Sequence, residues 1–126
     1  MIHLLDTHVL VWMMLAPEKL GKKTRTLLEH PRSQLAASSV SLWEIEYKRQ
    51  QTRIVLPEDW SDTLPEHGID ILPVSGKTAL LAAQLPMHGD PFDRLIMAQA
   101  QLLPAQLVTA DEKILAAWPQ CLDARK

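Results

Sequence analysis

A chain of 126 residues, 47% of them apolar and 22% charged, is long enough to bury a core unaided and too apolar to stay disordered. Its formal net charge of −2 excludes nucleic-acid binding by bulk electrostatic attraction, and its single cysteine, Cys121, excludes a disulfide framework or a thiolate metal cluster. The longest apolar run, 9–16, is too short to span a bilayer, and the amino-terminal segment has neither a basic region nor a small-residue cleavage site.

These features predict a single domain over 1–126, in a reducing cytoplasm and without membrane attachment. Basic residues occur only in small groups, Lys22-Lys23-Arg25, Lys48-Arg49 with Arg53, and Arg125-Lys126. Each group reads equally well as a solvated face.

In chain order, "IHLL" (2–5) reads as a short strand closed by Asp6. "THVLVWMML" (7–15) reads as a buried helix ended by Pro17. "PEKLGKKTRTLLEH" (17–30) reads as a helix with proline in its first turn. "SQLAAS" (33–38) is the second strand, and "SVSLWEIEYKRQQ" (39–51) is a helix with Ser39 as its expected cap. Residues 58–68 predict a helix bent by Pro65 and stopped by Gly68. "IDILPV" (69–74) alternates as a third strand, and 75–85 is helical up to Pro86.

"PFDRLIMAQAQLL" (91–103) is the most regular helix, with Phe92, Leu95, Ile96, Leu102 and Leu103 assigned to one face. "AQLVTA" (105–110) is the fourth strand, a short helix follows from Asp111, and 120–124 is the fifth strand. This alternation predicts an α/β fold with a mostly parallel sheet, whose ligands gather at the carboxyl ends of the strands.

Four acids are expected at that edge: Asp6 after the first strand, Glu44 in the helix after the second, Asp93 in the first turn of the long helix, and Asp111 after the fourth. Packed together, they repel one another, and a divalent cation turns that repulsion into binding energy. All-oxygen ligation suits Mg²⁺ or Mn²⁺. Each acid also has a plainer reading. Asp6 and Asp90 precede helices and can cap them. Asp93 closes a possible capping box with Asp90, and Thr109 to Glu112 forms another. Glu44 stands four residues before Lys48, the spacing of a helix ion pair. His8 and His88 flank the acids in sequence, but no paired metal-ligand histidines occur, and only His88 is taken as a phosphate contact.

The blocks "LLDTHVLVW", "SSVSLWEIEYK", "HGDPFDRLIMAQA" and "LVTADEKI", in that order and spacing, resemble a PIN domain, and most closely the VapC-type toxins of bacterial toxin–antitoxin pairs. The resemblance covers essentially the whole chain. It implies a three-layer α/β fold with about five mostly parallel strands and helices on both faces. It implies a Mg²⁺- or Mn²⁺-dependent endoribonuclease hydrolysing RNA phosphodiester bonds.

The family's four acids fall on Asp6, Glu44, Asp93 and Asp111. Its hydroxyl beside the last acid falls on Thr109, with Thr7 after the first acid, and Arg94 is a candidate partner for a phosphate or an acid. The resemblance further implies a homodimer, silenced by a small DNA-binding antitoxin whose tail covers the site, and "VLVWMML" could supply part of that groove.

The chain departs from the pattern at Ser39, where asparagine is frequent, at Gly89, where a basic residue is common, and at Pro65, in a helix that is usually uninterrupted. None of these touches the four acids. Phosphatase and receiver-domain readings fail, because His8 stands where the former needs a second acid, and Pro73 and Val74 where the latter needs its phosphoacceptor. A silent PIN-like module that binds RNA or protein without cutting is the remaining alternative.

Overall fold

The computed structural model describes residues 1–86 and 89–126. Five strands, β1 (Ile2–Leu5), β2 (Gln34–Ser38), β3 (Ile69–Leu72), β4 (Ala105–Thr109) and β5 (Leu122–Asp123), form one parallel sheet in the order β3-β2-β1-β4-β5. Helices α1 (Thr7–Leu15), α2 (Lys22–Glu29), α3 (Ser39–Gln50), α4 (Thr63–Glu66), α5 (Gly76–Gln84), α6 (Pro91–Leu102) and α7 (Glu112–Ala117) connect them.

Side chains alternate across each strand, and that alternation divides the core in two. Leu5, Leu35, Ala37, Ile69 and Val108 pack with Val9 and Leu10 of α1, Ile45 of α3 and Leu64 of α4. Leu4, Ala36, Ala105 and Leu107 pack on the other face, with Ile96, Met97 and Ala100 of α6 and Ile114 of α7. The predicted three-layer arrangement is therefore present. Burial on both faces also explains why the strands read as apolar runs.

The chain leaves β1 toward β2 on one side, and β4 enters on the other. Between β1 and β4 the connections diverge, which opens a crevice at the carboxyl ends of these two strands.

Several boundaries differ from the sequence reading. The segment 17–30 is two pieces, a 3₁₀ turn over Pro17–Lys19 and then α2, with Gly21 at the amino-terminal cap between them. A Cβ at Gly21 would overlap the backbone of Arg125 and Lys126, so the break lets the carboxyl-terminal strand end approach. The α3 cap is Ser38 and not Ser39, because the Ser38 hydroxyl accepts the Val40 N–H at 3.1 Å while Ser39 is already helical.

Residues 58–68 hold only a 3₁₀ turn, Trp60–Asp62, and the single turn of α4, ended as expected by Gly68 at φ +74°. β3 stops at Leu72, because Pro73 has no N–H for the ladder. On α6 the buried positions are Ile96 to Ala100, whereas Leu102 and Leu103 are exposed. Phe92 leaves the core to contact Trp43 instead.

Candidate active site

Asp6 is fixed at the end of β1 by its neighbours in the sheet. Its N–H donates to Val108 O at 3.0 Å, which continues the β1–β4 ladder by one residue. Its carboxylate is only 2% exposed and is held at both oxygens. Thr7 N–H donates to Oδ1 at 2.7 Å, and the Thr109 hydroxyl donates to Oδ2 at 2.7 Å. Burial raises the Asp6 pKa above the ordinary aspartate range, with a further contribution from Asp111. The Thr109 and Thr7 hydrogen bonds and the nearby His8 oppose the rise.

Thr109 serves two acids. Its Oγ1 also accepts the Asp111 N–H at 3.1 Å. Asp111 Oδ1 then caps α7 by accepting the N–H groups of Lys113 and Ile114 at 2.9 and 3.0 Å. The cap is Asp111, so the Thr109–Glu112 box does not form.

Asp90 caps α6, accepting the Phe92 N–H at 2.7 Å, with Pro91 at the first helical position where no N–H is needed. Asp93 has no reciprocal hydrogen bond to the Asp90 N–H among the described residues, so it is not the second half of a capping box. Its pKa is pushed up to about 7, first by burial, then by the charges of Asp6, Asp90, Asp111 and Glu44. The acids read as scattered in sequence thus share one electrostatic environment.

Glu44 also makes the ion pair expected from its spacing, with Lys48 Nζ 3.5 Å from its Oε2. Asp90, Asp93, Asp111 and Glu112 line an open cleft of about 350 Å³, with Gly89, Lys113 and Ile114.

Thr7 has two roles. Its N–H holds Asp6, while its hydroxyl lies 2.8 Å from the hydroxyl of Ser41. Ser41 is buried and stands three residues before Glu44 on α3, so this bond ties the Glu44 helix to the start of α1. The sequence reading missed Ser41, although the i, i+3 spacing from Glu44 was a usable signal.

Arg94, expected to meet a phosphate or an acid, turns its guanidinium to the end of α5. It donates to Ala82 O, Ala83 O and Leu85 O at 3.0, 3.1 and 2.8 Å. His88 lies outside the described residues.

Four carboxylates with no thiolate are a donor set for a hard divalent cation. Among the described residues, no group of three or more Asp, Glu, His or Cys side chains is arranged to hold a metal ion. The fit to a cation is thus one of donor chemistry: burial first, and then the charges of the neighbouring acids, push Asp93 toward neutrality, and a cation would relieve that repulsion.

No helix among the described residues is long and apolar enough to cross a membrane. Residues 3–117 match the family model of the PIN domain. The chain is 34% identical over 116 residues to Ribonuclease VapC22 of Mycobacterium tuberculosis, covering 88% of each protein. Its fold is similar to that of a toxin–antitoxin complex from Klebsiella pneumoniae, with a TM-score of 0.72, 21% identity and 97% of each chain covered. VapBC2 from Rickettsia felis, solved on a DNA fragment from its promoter, is similar with a TM-score of 0.70, 22% identity and 97% and 96% coverage. By the extent of these matches, the chain belongs to the PIN domain family.

Proposed function

We propose that this protein is a metal-dependent endoribonuclease that hydrolyses RNA phosphodiester bonds, and that it is the toxin of a type II toxin–antitoxin pair. The observation that carries the chemistry is the gathering of acids from distant segments: Thr109 bridges Asp6 and Asp111, and Asp93, through burial first and then the charges of Asp6, Asp90, Asp111 and Glu44, has its pKa pushed up to about 7. The likeness to Ribonuclease VapC22 supports RNA as the substrate, and the toxin–antitoxin neighbours support the partner.

Asp6 and Asp93 would hold the cation directly, with Glu44 and Asp111 completing its surroundings; magnesium or manganese suits these oxygen donors. When bound, the cation supplies Lewis acidity toward water and the scissile phosphate.

The chain's own residues do the rest. Thr109 and Thr7 pin both oxygens of Asp6, so its lone pairs keep one orientation. Glu44 would either orient the attacking water or take its proton. Asp111, anchored through Oδ1 on the α7 amides, retains a second oxygen for the cluster. In-line attack then leaves 5′-phosphate and 3′-hydroxyl ends.

The antitoxin tail would dock on the groove of about 310 Å³ lined by Met13, Met14, Leu56, Pro57, Trp60, Thr63 and His67. Met13 and Met14 come from the apolar run of α1, and their flexible thioethers suit a partner's side chains. A homodimer and a cytoplasmic location complete this reading.

The test is RNA cleavage by the purified chain, freed of antitoxin, in Mg²⁺, Mn²⁺ and EDTA, beside Asp6→Asn and Asp93→Asn. Metal-dependent cuts that vanish in both variants are expected. Equal RNA binding by wild type and variants, with no cleavage under any cation, would instead favour the silent binding module.

A further inference from the structure

Among the described residues that line the acid cleft, Lys113 is the only base, beside Asp90, Asp93, Asp111 and Glu112. It is the second residue of α7, and its N–H donates to Asp111 Oδ1 at 2.9 Å. The foot of this side chain is therefore fixed to one of the acids. Its ammonium has neither a hydrogen bond nor an ion pair among the described residues. Helix stability does not call for a cation here, because a positive charge in the first turn opposes the helix dipole.

The other bases close to the acids are committed elsewhere. Arg94, next to Asp93 in sequence, holds three carbonyls of the α5 end. Lys48 pairs with Glu44, and Arg125 pairs with Asp123 and Glu112. A polyanionic backbone that enters a cleft lined by carboxylates is repelled by them. A divalent cation offsets that charge only where it binds. A phosphate beyond that point needs a partner from the protein, and lysine supplies one as a point charge on a flexible stem.

We propose that Lys113 holds the RNA backbone in the cleft, pairing its ammonium with the phosphate next to the one that is cut. The inference rests on the ribonuclease reading and adds a substrate contact to it. Lys113 follows Asp111 on the exposed wall of the cleft, so it acts on binding and register and not on the bond-breaking step. A phosphate contact carries no base information, so its contribution is the same on every sequence.

The experiment measures kcat and KM for one RNA oligonucleotide that wild type cuts, from low to high KCl, with Lys113→Met, Lys113→Glu and Lys113→Arg. Methionine keeps much of the stem and removes the charge. At low salt Lys113→Met should raise KM about five-fold with little change in kcat, the upper end for an exposed ion pair. Lys113→Glu should raise it further, and Lys113→Arg should stay near wild type. The slope of log KM against log salt should flatten by about 0.7 in Lys113→Met, the increment for one phosphate contact on a single strand. A methylphosphonate at the linkage next to the cut removes the phosphate charge. It should cost wild type a similar factor and cost Lys113→Met little more, because both changes remove the same contact. The melting temperature of Lys113→Met should not fall, since the side chain is exposed.

A wild-type KM and salt slope in Lys113→Met would overturn the contact while leaving the nuclease intact. A fall in kcat alone would also overturn it, by placing Lys113 at the reacting phosphate. A loss that arginine does not restore, accompanied by a lower melting temperature, would make Lys113 a structural residue. If wild type cuts no RNA under any cation, the ribonuclease reading falls first, and the contact with it.

Discussion

The hydroxyl of Thr109 donates to Asp6 Oδ2 at 2.7 Å, across 103 residues of chain. Thr109 Oγ1 also accepts the Asp111 N–H at 3.1 Å, so one small side chain links acids from the ends of β1 and β4. Thr109→Val keeps the shape and removes the donor from a nearly fully buried carboxylate. The expected cost is about 2 kcal/mol in urea denaturation, the usual penalty for orphaning a buried polar group. Thr109 holds the Asp6 pKa down against burial, so its loss raises that pKa further. The acid limb of the cleavage pH profile should then move to higher pH in Thr109→Val and return in Thr109→Ser. An unchanged limb with reduced stability would restrict Thr109 to a structural role.

Asp93 reverses the usual acid linkage. Its folded pKa, about 7, lies above the unfolded value of an aspartate, so the folded state binds more protons than the unfolded state between about pH 4 and 7. Stability in EDTA should therefore fall as pH rises through that window and level off above it. Asp93→Asn removes the titration. Its melting temperature should fall less between pH 4.5 and 8 and exceed that of wild type at pH 8. Parallel melting curves for the two proteins would contradict the shifted pKa.

The alternation of apolar strands and helices made the α/β class and its mostly parallel sheet legible, because burial on both faces leaves continuous apolar runs; the three layers followed from the family resemblance, and the order β3-β2-β1-β4-β5 came only with the structure. Asp6 and Asp111 could be placed from sequence because each follows a strand and caps the next helix, and Asp93 because it stands in the first turn of α6, whereas Glu44 lies inside α3, where its spacing to Lys48 reads equally as an ion pair. Local hydrogen bonds were not legible. Ser38 and Ser39 are chemically equivalent in sequence, and only the backbone turn selects Ser38 as the cap. Arg94 follows Asp93 in sequence, but on the helix it lies about 100° around the axis, which turns it from the acids toward α5. Gly21 appears as an ordinary helix position until the carboxyl-terminal backbone occupies the space its side chain would need.

Arg94 yields a prediction opposite to that of a phosphate contact. Its guanidinium takes three carbonyls at the end of α5, of which Ala82 O also accepts the Leu85 N–H at 3.4 Å. Arg94→Ala should cost about 1.5–3 kcal/mol in denaturant unfolding, the range for hydrogen bonds to charged groups. Arg94→Lys should recover little, since an ammonium lacks the planar fork. KM for RNA should change far less than stability in both variants. A large rise in KM with unchanged stability would return Arg94 to the substrate.

Metal addition provides the check that is independent of cleavage. A ligand that binds only the folded state stabilises it by RT ln(1 + [L]/Kd), about 1.4 kcal/mol at ten times Kd. For a domain of this size that is roughly a 5 °C rise in melting temperature. Mg²⁺ or Mn²⁺ should produce this rise in wild type at pH 8, where Asp93 is ionised. The rise should shrink at pH 5.5, because protons and cation compete for the same carboxylates. Asp6→Asn and Asp93→Asn should each melt higher than wild type in EDTA through relief of like-charge repulsion, yet gain little from added metal. An equal metal response in wild type and both variants would locate cation binding away from these acids.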